Sequence, residues 1–165
     1  MTAGRQQRKA SGFALAAGIA VFALIFARPA ASVGVNDPVV TNTLTGLAIS
    51  GFDPVAYFVS GKPKIGRANV ELWDQGVVWR FTNVGNRAAF AEHPEVYAPR
   101  FGGYDPVAIA RGVSVPGHPL IWALDGQRLY LFYSAEARTA FLAEPDAIIE
   151  RATRKWPVVM RTVAP

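Results

Sequence analysis

The chain of 165 residues has room for one small domain, and its hydrophobic content of 51% indicates a packed core rather than a disordered segment. Its net charge of +5 is concentrated at the start: the first 32 residues hold four basic and no acidic side chains, which leaves 13 basic against 12 acidic residues beyond them. This balance excludes nucleic-acid binding. The absence of cysteine excludes disulfides, thiolate metal sites and a cysteine nucleophile.

The first 32 residues have the composition of an export signal. Residues 1–9 are basic, residues 13–27 carry no polar side chain, and small residues occupy 30–32. A positive start, an apolar stretch and a small-residue tail are typical of a secretory signal peptide. Because the positive end stays in the cytoplasm, we expect the rest of the chain to face the periplasm.

Two outcomes of export are open. Ala30 and Ser32 fit the positions that precede a cleavage after residue 32, which would release the domain into the periplasm. However, Arg28 lies unusually close to that point, and the apolar stretch counted over 11–27 reaches the lower length limit of a membrane-spanning helix. The uncleaved chain would be tethered to the inner membrane and face the periplasm.

A linker and then an internal repeat follow. Residues 33–50 contain turn formers and no helical period, which predicts a linker. The segment 51–56 (Gly-Phe-Asp-Pro-Val-Ala) returns at 103–108 (Gly-Tyr-Asp-Pro-Val-Ala), and 79–81 (Trp-Arg-Phe) corresponds to 130–132 (Tyr-Leu-Phe). Three further pairs are, like 79 and 130, separated by 51 residues: Arg87 with Arg138, Phe90 with Phe141, and Pro94 with Pro145. The repeat predicts two related units, 51–101 and 103–153, within one domain of residues 51–157, followed by a tail, 158–165.

Each unit has the same order of expected elements. Asp-Pro opens a short helical turn, with aspartate as the N-cap and proline at the first helical position. A hairpin follows, over 70–81 in the first unit and 120–133 in the second, with aspartate and glycine at each tip as the turn signal. A helix then completes each unit.

The helices should pack on these hairpins. Phe90 and Phe141 should face the strands from equivalent helices, the second capped by Ser134, and a last helix should stop at Trp156-Pro157. The expected helices are 86–93, 135–144 and 146–155. The predicted fold class is α+β, with two pseudo-repeated units of short antiparallel hairpin plus helix in one small domain.

These residues together resemble the YHS domain family, in particular its exported bacterial members. The resemblance rests on segments 51–58 and 101–104 (Phe-Gly-Gly-Tyr) and on spaced residues around them. The spaced residues are Phe81, Arg87, Phe90, Pro94, Tyr97, Asp125, Gly126, Leu129, Tyr130, Leu131, Trp156 and Pro157. The resemblance covers about residues 51–157 and implies an association with metals, copper in particular.

The metal expected from the resemblance depends on one replaced residue. Many family members carry a cysteine after Gly-Gly-Tyr, and Asp105 stands there in this chain. Soft thiolates select Cu(I), so the absence of cysteine excludes a Cu(I)–thiolate site. A metal site would instead use Asp53, Asp105 or His118 and would hold a divalent ion.

The repeat leaves two interpretations of Asp53 and Asp105. Both aspartates precede proline, where they can serve simply as helix N-caps. Alternatively, the two carboxylates meet near a pseudo-twofold axis, where they would bind a hard cation or a ligand or act as a general acid. Tyr57 and Tyr104 also have a structural and a functional interpretation. They either pack in the core or line an aromatic groove between the units that binds a ligand.

The sequence favours binding over catalysis. No nucleotide-binding loop and no Gly-x-Ser-x-Gly motif occurs, and no nucleophile–base pair is visible. We therefore expect a non-catalytic, periplasm-facing YHS-type module that binds a metal ion or a small ligand. The alternative is a membrane-anchored accessory subunit that interacts with another protein of an envelope complex.

Overall fold

The fold is known from a computed structural model, which describes residues 1–2 and 38–163. The predicted export signal therefore lies almost wholly outside the described residues. Within them, no helix is long and apolar enough to cross a membrane. The elements are α1 (Ala56–Ser60), β1 (Arg67–Asp74), β2 (Val77–Phe81), α2 (Val84–Glu92), α3 (Pro94–Tyr97), α4 (Pro106–Arg111), β3 (His118–Asp125), β4 (Arg128–Phe132), α5 (Ala135–Ala143) and α6 (Pro145–Val159).

Both predicted hairpins are present, and the predicted α+β class with two hairpin-plus-helix units is confirmed. Strand β1 pairs with β2 and β3 with β4, each antiparallel, and both pairs shift register at equivalent positions. Gln75 and Gly76 at the first tip, and Gly126 and Gln127 at the second, all have positive φ. Two-residue hairpin turns favour this conformation because its twist matches that of the strands.

A glycine allows the same close approach in each unit. Gly66 lies just before β1 and Gly117 just before β3. A Cβ on Gly66 would lie 2.5 Å from the carbonyl carbon of Arg80, and one on Gly117 would lie 2.6 Å from the Cβ of Leu131. Both approaches therefore require glycine, and the repeat extends to backbone packing.

Two hydrophobic cores repeat the same aromatic contact. In the first core, the ring centroids of Trp79 and Phe90 lie 4.8 Å apart. In the second, the centroids of Tyr130 and Phe141 lie 4.9 Å apart. Phe90 and Phe141 are fully buried, so the predicted equivalence of these two side chains is confirmed.

Strand β4 supplies side chains to both cores. Leu129 and Leu131 belong to the first core, whereas Tyr130 and Phe132 belong to the second. Successive side chains of a strand point to opposite faces, so β4 is buried on both sides. The second hairpin therefore contributes side chains to the cores of both units.

The segment predicted as a linker packs on the domain from residue 38 onward. The Val40 backbone N–H donates to the Gly102 carbonyl at 2.8 Å, and the Ala48 N–H donates to the Val78 carbonyl at 2.9 Å. Ala48 and Ile49 are buried in the first core. The segment thus pairs with the free edge of β2 through Leu47 and Ala48 and adds buried side chains to the first core, a role that the turn signals alone do not reveal.

Helix α6 differs from its predicted end. It runs through Pro157 to Val159, and a 3-10 turn, Met160–Thr162, follows it into the predicted tail. Proline in a helix costs about 3 kcal/mol. Burial of Trp156 and Val159 in the second core gains roughly 1.5–3 kcal/mol each, which offsets that cost.

Candidate functional site

Asp53 is enclosed by donors from its own unit. It is 0% exposed. Its Oδ1 accepts hydrogen bonds from the backbone N–H of Val55 at 2.9 Å and of Ala56 at 3.3 Å. Its Oδ2 accepts from the Thr82 N–H at 2.8 Å, the Thr82 hydroxyl at 2.7 Å and the Asn86 side-chain amide at 2.7 Å. A carboxylate offers about four lone-pair sites, so Asp53 is saturated.

Asp105 accepts the equivalent two backbone hydrogen bonds but lacks most of the other donors that surround Asp53. It is 2% exposed, and its Oδ1 accepts from the N–H of Val107 at 2.7 Å and of Ala108 at 3.3 Å. Among the described residues, its Oδ2 accepts only from the Tyr133 N–H, at 2.9 Å. Ala137 occupies the position that corresponds to Asn86 and supplies no donor. Asp105 therefore keeps an acceptor site that Asp53 has filled.

A cleft opens beside Asp105. It has a volume of about 460 Å³ and lies between α4 and the first turns of α5. Its polar lining includes Asp105, Arg111, Tyr133 and Glu136, and its apolar lining consists of small aliphatic side chains. The volume falls within the range of small-molecule sites.

Charged groups of both signs stand on the cleft wall. Hydrogen bonds from its own backbone N–H and from the Ser134 hydroxyl lower the pKa of Glu136, so this exposed side chain is ionised at neutral pH. Arg111 is also exposed and makes no ion pair among the described side chains. With Asp105, the cleft has two acidic groups against one guanidinium.

The predicted tyrosines do not line this cleft. The Tyr57 hydroxyl donates to the Pro119 carbonyl at 2.9 Å, and its ring meets Trp122 edge-on at 5.3 Å. Burial, and then the nearby charge of Asp53, raise the pKa of Tyr57. The ring centroid of Tyr104 lies 5.9 Å from that of Trp156, and burial raises the pKa of Tyr104. The Tyr57 ring is buried inside the domain, and the half-buried Tyr104 ring packs against the second core.

The predicted metal ligands are spread over different local networks. Asp53 and Asp105 share no hydrogen-bond donor, and the exposed His118 uses its Nδ1 to accept from the Leu120 N–H at 3.2 Å. Over residues 38–163, no group of three or more histidine, aspartate or glutamate side chains is placed to hold a metal ion. An ion could reach Asp53 only by displacing its present donors.

The sequence prediction named Asp105 but missed the residues that make the cleft. These residues are Arg111, Tyr133, Glu136 and Ala137. A signal for two of them existed in the repeat, because Tyr133 replaces Thr82 and Ala137 replaces Asn86 at the same spacing. Both replacements remove a side-chain donor from the second carboxylate.

No family model, no curated protein and no solved structure matches this chain. The resemblance to the YHS family therefore stays a prediction.

Proposed function

We propose that the domain is a non-catalytic, YHS-type binding module that takes a small organic ligand in the cleft beside Asp105. The observation that carries the proposal is an open cleft next to a buried carboxylate with an unfilled acceptor site. A carboxylate oxygen can accept two hydrogen bonds and Asp105 Oδ2 accepts one from Tyr133, so it can accept another from a bound ligand. An organic ligand fits better than a metal ion because the cleft supplies small aliphatic contacts and few oxygen ligands.

The polar groups of the cleft support binding rather than chemistry. Asp105 caps α4 through two backbone N–H groups, and the Ser134 hydroxyl caps α5 by accepting from the Ala137 N–H at 3.2 Å. Both side chains are thereby held in place. A fixed carboxylate can orient a ligand without transferring a proton.

We place this module on the periplasmic side of the inner membrane. The support is the basic start and the apolar stretch over 13–27. The domain could bind its ligand there both as a free periplasmic protein and as one tethered to the membrane.

The test is a fragment screen of the full-length chain by two-dimensional NMR. Fragments that bind should shift the backbone amides of Val107, Tyr133 and Ala137 more than those of the first unit. Ala140→Trp should abolish these shifts, because its ring would fill the cleft from α5. Ala88→Trp makes the same change at an exposed position of α2 and should leave binding intact.

Two outcomes would count against the proposal. If no fragment shifts the cleft amides, the cleft is not a binding site, and the alternative of a protein-interaction subunit gains support. If fragments bind equally well to the Ala140→Trp protein, they occupy another surface.

A further inference from the structure

The first unit shows which chemical group fits beside the second carboxylate. In the first unit, the Asn86 side-chain amide donates to Asp53 Oδ2 at 2.7 Å, and the Thr82 hydroxyl donates to the same oxygen at 2.7 Å. The repeat relates Asn86 to Ala137 and Thr82 to Tyr133. The second unit has thus lost both side-chain donors, and Ala137 and Tyr133 line the cleft.

The space left by the smaller side chain of Ala137 lies next to the Asp105 oxygen that can accept a further hydrogen bond. Asn86 lies on α2 just as Ala137 lies on α5, and Oδ1 of each aspartate accepts from the backbone N–H groups two and three residues further along the chain. An amide-sized group between Ala137 and Asp105 would therefore reach Oδ2. An oxygen of a carboxylate commonly accepts two hydrogen bonds, and this one accepts one among the described residues.

The charges decide between a neutral and a cationic donor. Asp105 and Glu136 face a single guanidinium, that of Arg111, around the cleft. A buried carboxylate gains most from a charged donor, because charge-assisted hydrogen bonds are roughly twice as strong as neutral ones. The balance favours a cation.

Resting on the proposed function, we infer that the cleft binds the ammonium or guanidinium end of a small organic cation. Its N–H group donates to Asp105 Oδ2 and takes the place that the Asn86 amide holds in the first unit. The remainder of the ligand lies along the small aliphatic side chains of α4 and α5.

The experiment compares four probes with one butyl tail: butylammonium, butylguanidinium, butanol and butyrate. Each is titrated at neutral pH into the full-length chain, and the shifts of the Val107, Tyr133 and Ala137 amides give dissociation constants. Butylammonium and butylguanidinium should bind about tenfold more tightly than butanol, because only they offer a charge-assisted bond. Butyrate should bind most weakly.

A donor placed by mutation provides the second arm. Ala137→Asn restores the side chain of the first unit and should weaken butylammonium binding by about tenfold or more, because the new amide fills Oδ2. Ala143→Asn adds the same side chain at an exposed position of α5 outside the cleft lining and should keep most of the affinity. Melting curves of both variants establish that they are folded.

The outcomes separate the inference from the proposed function. Butanol or butyrate binding as tightly as butylammonium overturns the cationic ligand and leaves the cleft as a binding site. Unchanged butylammonium affinity in Ala137→Asn overturns the position of the donor. If none of the four probes binds although screened fragments do, the inference fails alone, and if no fragment binds, both proposals fail.

Discussion

At the scale of single residues, Tyr57 joins the two units through one buried hydroxyl. This hydroxyl donates to Pro119, which lies in β3 of the second unit. Burial and the charge of Asp53 raise the pKa of Tyr57 above its usual value of 10.0. The folded chain therefore holds this proton at pH values where the unfolded chain has lost it, and its stabilising effect declines as the pH rises above about 10.

This linkage predicts an alkaline loss of stability that depends on Tyr57. The free energy of unfolding of the full chain, measured by urea denaturation, should be nearly constant between about pH 8 and about pH 9 and should fall as the pH rises from about 10 to about 12. Tyr57→Phe should make this decline shallower, although it should cost about 1 kcal/mol at neutral pH through the lost hydrogen bond. Burial also raises the pKa of Tyr104 and Tyr130, so part of the decline should remain.

Tyr133→Phe serves as the matched control for this prediction. It removes an exposed hydroxyl and should keep the decline of the parent chain. An equally steep decline in the Tyr57→Phe protein would show that the alkaline loss of stability does not come from a difference in Tyr57 protonation between the folded and unfolded chain.

The candidate site was only partly predictable at this scale. The Asp-Pro pairs correctly indicated Asp105 as the N-cap of α4, and Asp105 lines the cleft. Asp53 accepts from the equivalent backbone N–H groups, but α1 begins later, with Val55 as its N-cap. The cleft exists because the second unit lacks a side chain that the first unit has. Sequence periodicity and motifs detect residues that are present and therefore do not reveal such a space. Comparison of Asn86 with Ala137 reveals it only once the structure shows that Asn86 fills the corresponding space.

At the scale of elements, α2 and α5 each anchor a core through one phenylalanine. Both helices are short, and the rest of their surface is largely exposed, apart from Phe90 and Phe141. The Phe141 ring also lies 5.1 Å from Phe132, centroid to centroid. Each helix is thus held to its hairpin mainly by one aromatic side chain.

Phe141→Ala should therefore destabilise the domain by about 3–5 kcal/mol, through lost burial and the cavity that remains. Urea denaturation of the full chain measures this loss. Leu142→Ala truncates the next residue of α5, which is 50% exposed, and should change stability by less than about 0.5 kcal/mol. A loss below about 1 kcal/mol for Phe141→Ala would mean that the helix is held by other contacts.

Most elements could be predicted from the sequence because each carries a local signal, such as Asp-Pro before a helix or aspartate and glycine at a hairpin tip. The exceptions are set by tertiary packing. The predicted stop at Pro157 is local, whereas the burial of Trp156 and Val159 that carries α6 onward depends on the second core. The packing of Ala48 and Ile49 likewise depends on the first core.

At the scale of the molecule, the repeated units are not independent. Leu129 and Leu131 come from the second unit but belong to the core around Phe90. Neither half can complete its core alone, because the first lacks these leucines and the second would expose them. The shared strand β4 should make the described domain unfold in one cooperative transition.

Leu131→Ala tests this coupling, because it removes a fully buried side chain of the second unit from the core of the first. The expected loss is about 2–5 kcal/mol. Since one transition should unfold both cores, native-state hydrogen exchange of the full chain should accelerate for the slowest amides of β2 and β4 by the same factor. Leu120→Ala, which truncates an exposed leucine of β3, should leave both sets unchanged. Faster exchange confined to β4 and α5 would show instead that the two units open separately.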